Sequence, residues 1–354
     1  MPISAAAASQ REVPRDHGFH PLRVRRVVPE TPEAVSFVLD IPPELAATYA
    51  YEAGQFLTFR VRVDGEAHHR CYSMSSTPGV DAELAVTVKR VPGGVVSNWM
   101  IDTLGPGDEV EASPPAGVFR LDGGGDLVAL AAGSGITPVI SLVKAALAAT
   151  DRRVRLLYAN RDREATIFRA ELDALAARHP GRLEVVHRLD VEDGFLDAAA
   201  VAPFVTAGAE FYVCGPAPFM DIVEDALVAG GIDGARIHIE RFTPAPPPDE
   251  AAETEDDTAA PVQVTVELDG RTDSVDHRAG TTILQTARQM GMTPPYSCES
   301  GNCATCMAKL VEGTVSMFVN DVLTDEEVAD GWVLTCQSVP TSPTVRVVYG
   351  YEES

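Results

Sequence analysis

The spacing of hydrophobic and polar positions changes character twice along this 354-residue chain. Between residues 20 and 120 apolar positions come in short alternating runs, at 22–28, 36–39, 55–63, 84–89 and 109–112. Turn-forming breaks separate them: Ala53-Gly54, Pro92-Gly93-Gly94, Gly105-Pro106-Gly107-Asp108 and Pro114-Pro115. Alternation buries one face of a strand, and short strands at near-regular spacing predict an antiparallel β-barrel. From Asp126 the texture becomes continuous. Residues 127–132 are wholly apolar and predict a buried strand. Strands predicted at 154–158, 183–188, 211–214 and 236–240 alternate with helices at 138–149, 168–178 and 219–228. That alternation predicts a doubly wound parallel α/β sheet. A third texture begins at residue 262. There, runs at 263–268 and 271–275 flank Asp269-Gly270, a hairpin signal. Ile283, Leu284, Ala287 and Met290 share one face of a helix capped by Thr281 or Thr282 and ended by Gly291. This is a small α+β module.

The organisation read from these textures is a disordered tail at 1–19, a barrel at 20–121, an α/β domain at 122–242, a linker at 243–261 and the α+β module at 262–354. The linker carries Pro244, Pro246, Pro247 and Pro248 and then six acids without a base, a composition that cannot bury a core. The net charge of −24 repels nucleic acid and anionic membrane, and favours a partner with a basic docking face. From residue 262 onward there are 13 acids and 5 bases, so the last third is the most acidic. No apolar run is long enough to span a bilayer and the N-terminus lacks the basic start of a secretory signal, so a cytoplasmic location is expected.

Four of the six cysteines crowd into the C-terminal module as Cys298-x4-Cys303-x2-Cys306, with Cys336 following after 29 further residues. Two bridged irons need four thiolates, and three on one tight loop plus one distant is the plant-type [2Fe–2S] spacing. Zinc, the competing reading, usually takes two short-spaced pairs. Small residues on the loop let backbone N–H groups turn toward sulfur.

At the end of a barrel strand stands Arg70-Cys71-Tyr72-Ser73. A flavin needs a cation for its pyrophosphate, a flat ring on its isoalloxazine and a hydrogen-bond partner at N5, although a polar strand end would look the same. Gly94 to Trp99 opens a short helix whose first amides suit phosphate. Ala131-Ala132-Gly133-Ser134-Gly135-Ile136-Thr137-Pro138 follows the first parallel strand and opens a helix, as a dinucleotide loop would. Cys214-Gly215-Pro216 makes a second strand-to-helix turn, with a buried core thiol as the plainer reading of Cys214. Asn160, Arg161, Asp162 and Arg163 follow the second strand. Arginine suits the 2′-phosphate of NADPH and aspartate the free ribose of NADH, so these residues leave the choice open.

The C-terminal 90 or so residues resemble the plant-type ferredoxins, including Asn320-Asp321-Val322-Leu323-Thr324 and Val333-Leu334-Thr335-Cys336-Gln337-Ser338. Two positions depart from the usual loop: Glu299 stands where Arg is frequent, and Ala304, expected to keep a negative φ, where Gly is usual. The part before the linker resembles the ferredoxin–NADP reductase superfamily. That resemblance implies FAD held by Arg70, Tyr72 and Ser73, with Gly94 and Ser97 at its diphosphate. It implies a nicotinamide dinucleotide at Gly133, Gly135, Thr137, Pro138, Arg161, Cys214, Gly215 and Pro216, with NADH favoured and NADPH open. It also places Cys214 beside the nicotinamide and Phe242 over the flavin, so that Ser73, Cys214 and Phe242 are the candidate catalytic residues. The reductase-then-ferredoxin order from about residue 20 to the end resembles the fused reductase components of bacterial multicomponent oxygenases, including those of steroid and aromatic degradation. The implied path runs from NADH to FAD to [2Fe–2S] to a Rieske-type or di-iron oxygenase, with flavin converting a two-electron donor into single electrons. The chain itself has no paired Cys-x-His and no helical Glu-x-x-His. A reductase for another acceptor, such as a hybrid-cluster protein, and a redox-sensing binding protein are the competing functions.

Overall fold

A computed structural model describes residues 2–4, 18–242, 262–299, 301–320 and 322–351, for residues 2–4 the backbone alone. The linker expected at 243–261 and most of the expected tail lie outside the described residues. Within the tail, however, Pro2–Ser4 forms a strand (β1), which corrects the expectation of disorder there. The described residues fall into two compact units, one within Phe19–Thr243 and the other within Met1–Gly18 and Pro244–Ser354.

The first unit opens with β2 (His20–Thr31), β3 (Ala34–Asp40), β4 (Phe56–Val63), β5 (Glu66–Ser73) and β6 (Leu84–Lys89), then helix α1 (Val95–Thr103) and β7 (Glu109–Ala112). These strands form one antiparallel sheet in the order β5-β4-β7-β2-β3-β6. Its two end strands meet through a Met74–Val86 bridge and a bond from the Ser75 amide to the Ala85 carbonyl at 2.9 Å, which curls the sheet into a barrel. Leu22, Phe37, Leu57, Phe59, Val88 and Met100 fill it. β2 runs past Pro29, beyond the expected strand, because the pairing shifts register between Pro29 and Thr31 and a bulge tolerates a missing amide. β5 is longer than its visible Arg70–Ser73 end. Asp64 (φ 51°) and Gly65 (φ 87°) make the tight turn that lays it back on β4.

The chain continues through β8 (Leu127–Ala132), α2 (Ile136–Ala149), β9 (Val154–Asn160), α3 (Arg169–Arg178), β10 (Leu183–Leu189), the short helices α4 (Asp190–Asp193) and α5 (Ala198–Val201), β11 (Glu210–Gly215), α6 (Ala217–Ala229) and β12 (Ile237–Arg241). The five strands are parallel in the order β10-β9-β8-β11-β12. β8 is buried on both faces: Leu127, Ala129 and Ala131 pack with α2, while Val128, Leu130 and Ala132 pack with α6. The sheet therefore changes direction of winding between β8 and β11, and that point positions the site.

The second unit holds β13 (Val262–Leu268), β14 (Arg271–His277), α7 (Ile283–Gln289), β15 (Met307–Glu312), β16 (Thr314–Met317), α8 (Asp325–Ala329), β17 (Trp332–Leu334), β18 (Ser338–Pro340) and β19 (Thr344–Val348). Its main sheet runs β14-β13-β19-β15-β17, with β13 and β19 parallel. Val264, Ile283, Ala287, Leu310 and Val347 form the core beneath α7. Thr282 caps α7, its hydroxyl accepting from the Gln285 amide while Gln285 Oε1 accepts from the Thr282 amide. A small second sheet, β1-β16-β18, takes in the N-terminal strand through the register Ile3–Val315.

Candidate functional site

Pairing with β4 sets Arg70, Tyr72 and Ser73 opposite Phe59, Leu57 and Phe56 at the end of β5. Arg70 is exposed and donates to the His69 carbonyl at 2.7 Å. The Tyr72 ring stands edge-on to Phe59 with centroids 5.9 Å apart, and burial pushes its phenol pKa up, so the hydroxyl stays protonated. Ser73 is buried and donates from Oγ to Glu240 Oε2 at 3.1 Å, across 167 residues of sequence. Burial pushes the Glu240 carboxyl up to about 8 against the opposing effect of that hydrogen bond, so it holds a proton near neutral pH. Gly94 enters α1 in an extended conformation with no side-chain cap, leaving the first-turn amides available to an anion. A β-carbon on Gly94 would stand 2.7 Å from Ser97 Oγ, which itself accepts from the Val91 amide at 3.3 Å. An uncapped helix start, an exposed cation and a half-buried aromatic ring within the barrel domain are the groups an FAD would need.

On the parallel sheet, Gly133–Gly135 forms a single tight turn between β8 and α2. The Tyr158 hydroxyl donates to the Gly133 carbonyl at 3.1 Å, and buried Thr137 donates to the Ser134 carbonyl at 3.0 Å. Gly135 has no room for a side chain, because a β-carbon there would lie 2.1 Å from the Cys214 carbonyl oxygen. Pro138 sits in the first turn of α2, where its missing amide breaks no helical bond. Cys214 ends up beside Ala131 on one side and Glu240 on the other. It is fully buried, and burial above all keeps its thiol neutral, which suits a packing role beside a ring and not nucleophilic work. Gly215 closes β11 with no space beyond Ala132 Cβ, 3.0 Å from its would-be β-carbon, and Pro216 caps α6. Phe242, 41% exposed, follows β12 directly. Arg161 lies further out at the end of β9, its Nε 2.8 Å from Asp162 Oδ2.

The fold thus brings Ser73, Glu240, Cys214 and Gly135 together, whereas Arg161 stands apart, engaged by a neighbouring carboxylate. Three further participants carry almost no signal of a role in the sequence. Glu240 closes the strand expected at 236–240, and being the one acid there is its only cue. Lys89 ends β6 with its ammonium 3.4 Å from where a Gly133 β-carbon would stand. Buried Lys144 on α2 pairs with Asp81 at 2.7 Å and Glu171 at 3.2 Å. Alongside it Ser141 Oγ donates to the Ser76 carbonyl at 2.7 Å, so α2, and with it the glycine turn, is pinned to the barrel. Single residues such as these leave no periodic signal.

In the second unit the loop from Cys298 to Cys306 turns through positive φ at Glu299 (47°), Gly301 (86°) and Ala304 (56°). The negative φ expected of Ala304 is therefore corrected: the turn closed by the Met307 amide on the Ala304 carbonyl, at 2.9 Å, holds the residue left-handed, at about 1 kcal/mol. Glu299, the other departure, pairs with Arg288 of α7 at 3.3 Å. No disulfide joins the six cysteines. Cys303, Cys306 and Cys336 are buried and Cys298 is half-buried. Donors reach the sulfurs: the Asn302 amide to Cys298 at 3.4 Å and Gln337 Nε2 to Cys336 at 3.7 Å. Contact with Cys336, then burial, pushes the Cys306 thiol up. Among the described residues no three or more His, Cys, Asp or Glu gather as a single metal ion would require. Four thiols, three on one loop and one just after β17, are the donor set that a two-iron cluster takes, two to each iron.

Three family patterns match in chain order: an oxidoreductase FAD-binding domain over residues 22–121, an oxidoreductase NAD-binding domain over 129–225 and a 2Fe-2S iron-sulfur cluster binding domain over 266–341. The chain is 40% identical over 351 residues to the 3-ketosteroid-9-alpha-monooxygenase ferredoxin reductase component of Rhodococcus rhodochrous, covering 96% of this chain and 99% of that one. The chain belongs to the family of oxygenase ferredoxin reductase components. A second member, the glycine betaine monooxygenase reductase from Pseudomonas aeruginosa, is 33% identical, with 93% and 95% covered. The solved phthalate dioxygenase reductase, a modular structure for electron transfer from pyridine nucleotides to [2Fe-2S], matches with a TM-score of 0.61 at 28% identity over 94% of this chain and 98% of that one. This oxidoreductase uses a nicotinamide dinucleotide, FAD and a [2Fe–2S] cluster to carry electrons to an oxygenase component. No helix among the described residues is long and apolar enough to cross a membrane.

Proposed function

We propose that this reductase supplies a terminal oxygenase of the Rieske or di-iron type, and that its relatives at about 40% identity point to a steroid-like substrate for that oxygenase. The division of labour follows the textures of the sequence: residues 20–121 hold FAD, 122–242 the nicotinamide dinucleotide and 262–354 the cluster. Bound flavin supplies the exchange between a hydride and single electrons. The protein supplies position. Arg70 and the first amides of α1, entered through Gly94 and Ser97, hold the diphosphate, while Tyr72 covers the ring. Gly133, Gly135, Thr137 and Pro138 seat the dinucleotide pyrophosphate, aided by Lys89. Cys214, Gly215 and Pro216 wall the nicotinamide, and Phe242 shields the flavin face. Protonated Glu240, bonded to Ser73, offers a neutral donor where a full carboxylate would repel a reduced ring. Cys298, Cys303, Cys306 and Cys336 hold the irons.

The observation that carries this reading is the 3.1 Å bond between Ser73 and Glu240, which joins the barrel end to the strand beside Cys214. Arg161 engaged by Asp162 supports NADH over NADPH, because a 2′-phosphate would meet a cation already paired beside a carboxylate. The test is reconstitution with candidate oxygenases. NADH-driven product formation with a steroid oxygenase, and little with NADPH, is expected. Turnover with none of them, alongside fast reduction of an unrelated iron protein, would transfer the chain to a different acceptor.

A further inference from the structure

Among the described hydrophobic side chains that pack as the core of the second unit, Tyr349 alone ends in a hydroxyl. Its ring, 5% exposed and placed just after β19, packs with Val264, Ile283, Ala287 and Val347. A phenylalanine would fill that space, and a phenol there costs free energy unless its hydroxyl is bonded. The bond it makes leads to the cysteines. Tyr349 Oη lies 2.7 Å from Thr335 Oγ1, and Thr335 Oγ1 lies 2.8 Å from the Cys306 carbonyl oxygen.

Chemistry fixes the direction of both bonds. A carbonyl oxygen can only accept, so Thr335 donates its single hydroxyl proton to Cys306. The Thr335 oxygen must then accept from Tyr349. Two O–H dipoles therefore stand in series, their positive ends toward the Cys306 backbone. The backbone around them is fixed as well. Met307 pairs with Leu334 at the start of β15, and one step further the Thr335 amide also donates to the Cys306 carbonyl, at 3.2 Å. The Thr335 carbonyl accepts from the Leu284 amide of α7 at 3.0 Å, and the Tyr349 amide donates to the Glu267 carbonyl at 2.9 Å. Thr335 is fully buried and directly precedes Cys336. The relay thus ends on one candidate iron ligand and passes through the neighbour of another.

We propose that Tyr349 is a positioning residue that sets how strongly the cluster holds an added electron. Acting through Thr335, its hydroxyl turns a positive dipole end toward Cys306 and locks that residue's backbone beside the one that carries Cys336. Reduction adds negative charge to a buried cluster, and donors directed at its ligands favour the reduced state. The inference rests on the four cysteines being the cluster's ligands.

The test is a reductive titration of the flavin- and iron-loaded full chain, reading flavin absorbance and the cluster EPR signal in one sample. In Tyr349→Phe the share of electrons on the cluster relative to the flavin should fall about threefold, near the lower end of what one neutral hydrogen bond contributes. Its iron and sulfide content and its flavin potential should match the parent's. Thr335→Ser keeps the hydroxyl and should behave as the parent does. Thr335→Val should shift the balance toward the flavin at least as far as Tyr349→Phe. An unchanged balance in Tyr349→Phe overturns the proposal, as does a Thr335→Ser protein that shifts as far as Thr335→Val. If Tyr349→Phe does not take up iron, the two Thr335 variants decide by the same rule. A parent protein with no reduced-cluster signal overturns the ligand assignment itself, not only the role of Tyr349.

Discussion

Ser73 and Glu240 meet at 3.1 Å from positions 167 residues apart, whereas Cys298, Cys303 and Cys306 lie within one nine-residue segment. The hydride-handling end is assembled by tertiary structure from a barrel strand, a glycine turn and the last strand of the parallel sheet. The proposed cluster end is set mostly by one loop, with Cys336 as its distant candidate ligand. Damage should therefore spread differently. A change at the first site disturbs packing between domains, while a change at the second removes a ligand and leaves its surroundings standing.

The largest expected effect sharpens that contrast. Cys303→Ser should abolish cluster absorbance and reduce acceptor turnover to background, yet leave NADH reduction of the flavin near the parent rate in anaerobic stopped flow. Gly135→Ala should do the reverse. Its β-carbon, 2.1 Å from the Cys214 oxygen, would force β8 and β11 apart, costing about 1–3 kcal/mol of stability and most NADH turnover while the cluster spectrum persists. Should that variant also lose its cluster, the two ends would not be separable in the way described.

The contrast also explains what is legible in the sequence. The cysteine spacing names its own chemistry because thiolate ligation is local. β8 and the Asp269-Gly270 hairpin are equally plain, each being a short-range pattern with one physical cause. Glu240 is not, since its protonation depends on burial that exists only after β12 docks on β11. The start of β5 is hidden because Glu66 to Arg70 are mostly polar, and only the Asp64-Gly65 turn announces the strand. Ala304 misleads because residue type favours a negative φ, while the closing turn of the loop demands the opposite.

Glu240 gives a smaller test by pH. Its folded pKa of about 8 lies above the 4.5 of an ordinary glutamate, so the fold binds this proton more tightly than the unfolded chain. The resulting stabilisation is full below pH 4.5 and is lost as pH rises through 8, at no more than about 1.4 kcal/mol per pH unit. Glu240→Gln keeps a neutral group throughout, so its melting temperature should fall less than the parent's between neutral and alkaline pH. Equal slopes would mean the carboxyl is ionised in the fold. Smallest of all, Thr282→Ala removes the cap of α7 and should cost about 1 kcal/mol in urea unfolding of the cluster-bearing unit, without changing NADH reduction of the flavin.

The most direct measurement mixes the loaded protein with NADH under anaerobic conditions and follows flavin absorbance and the EPR signal of the reduced cluster together. Flavin bleaching should come first and the cluster signal after it, with two irons and two sulfides recovered per chain. A cluster reduced without prior change at the flavin, or zinc bound at the four thiols, would contradict the account.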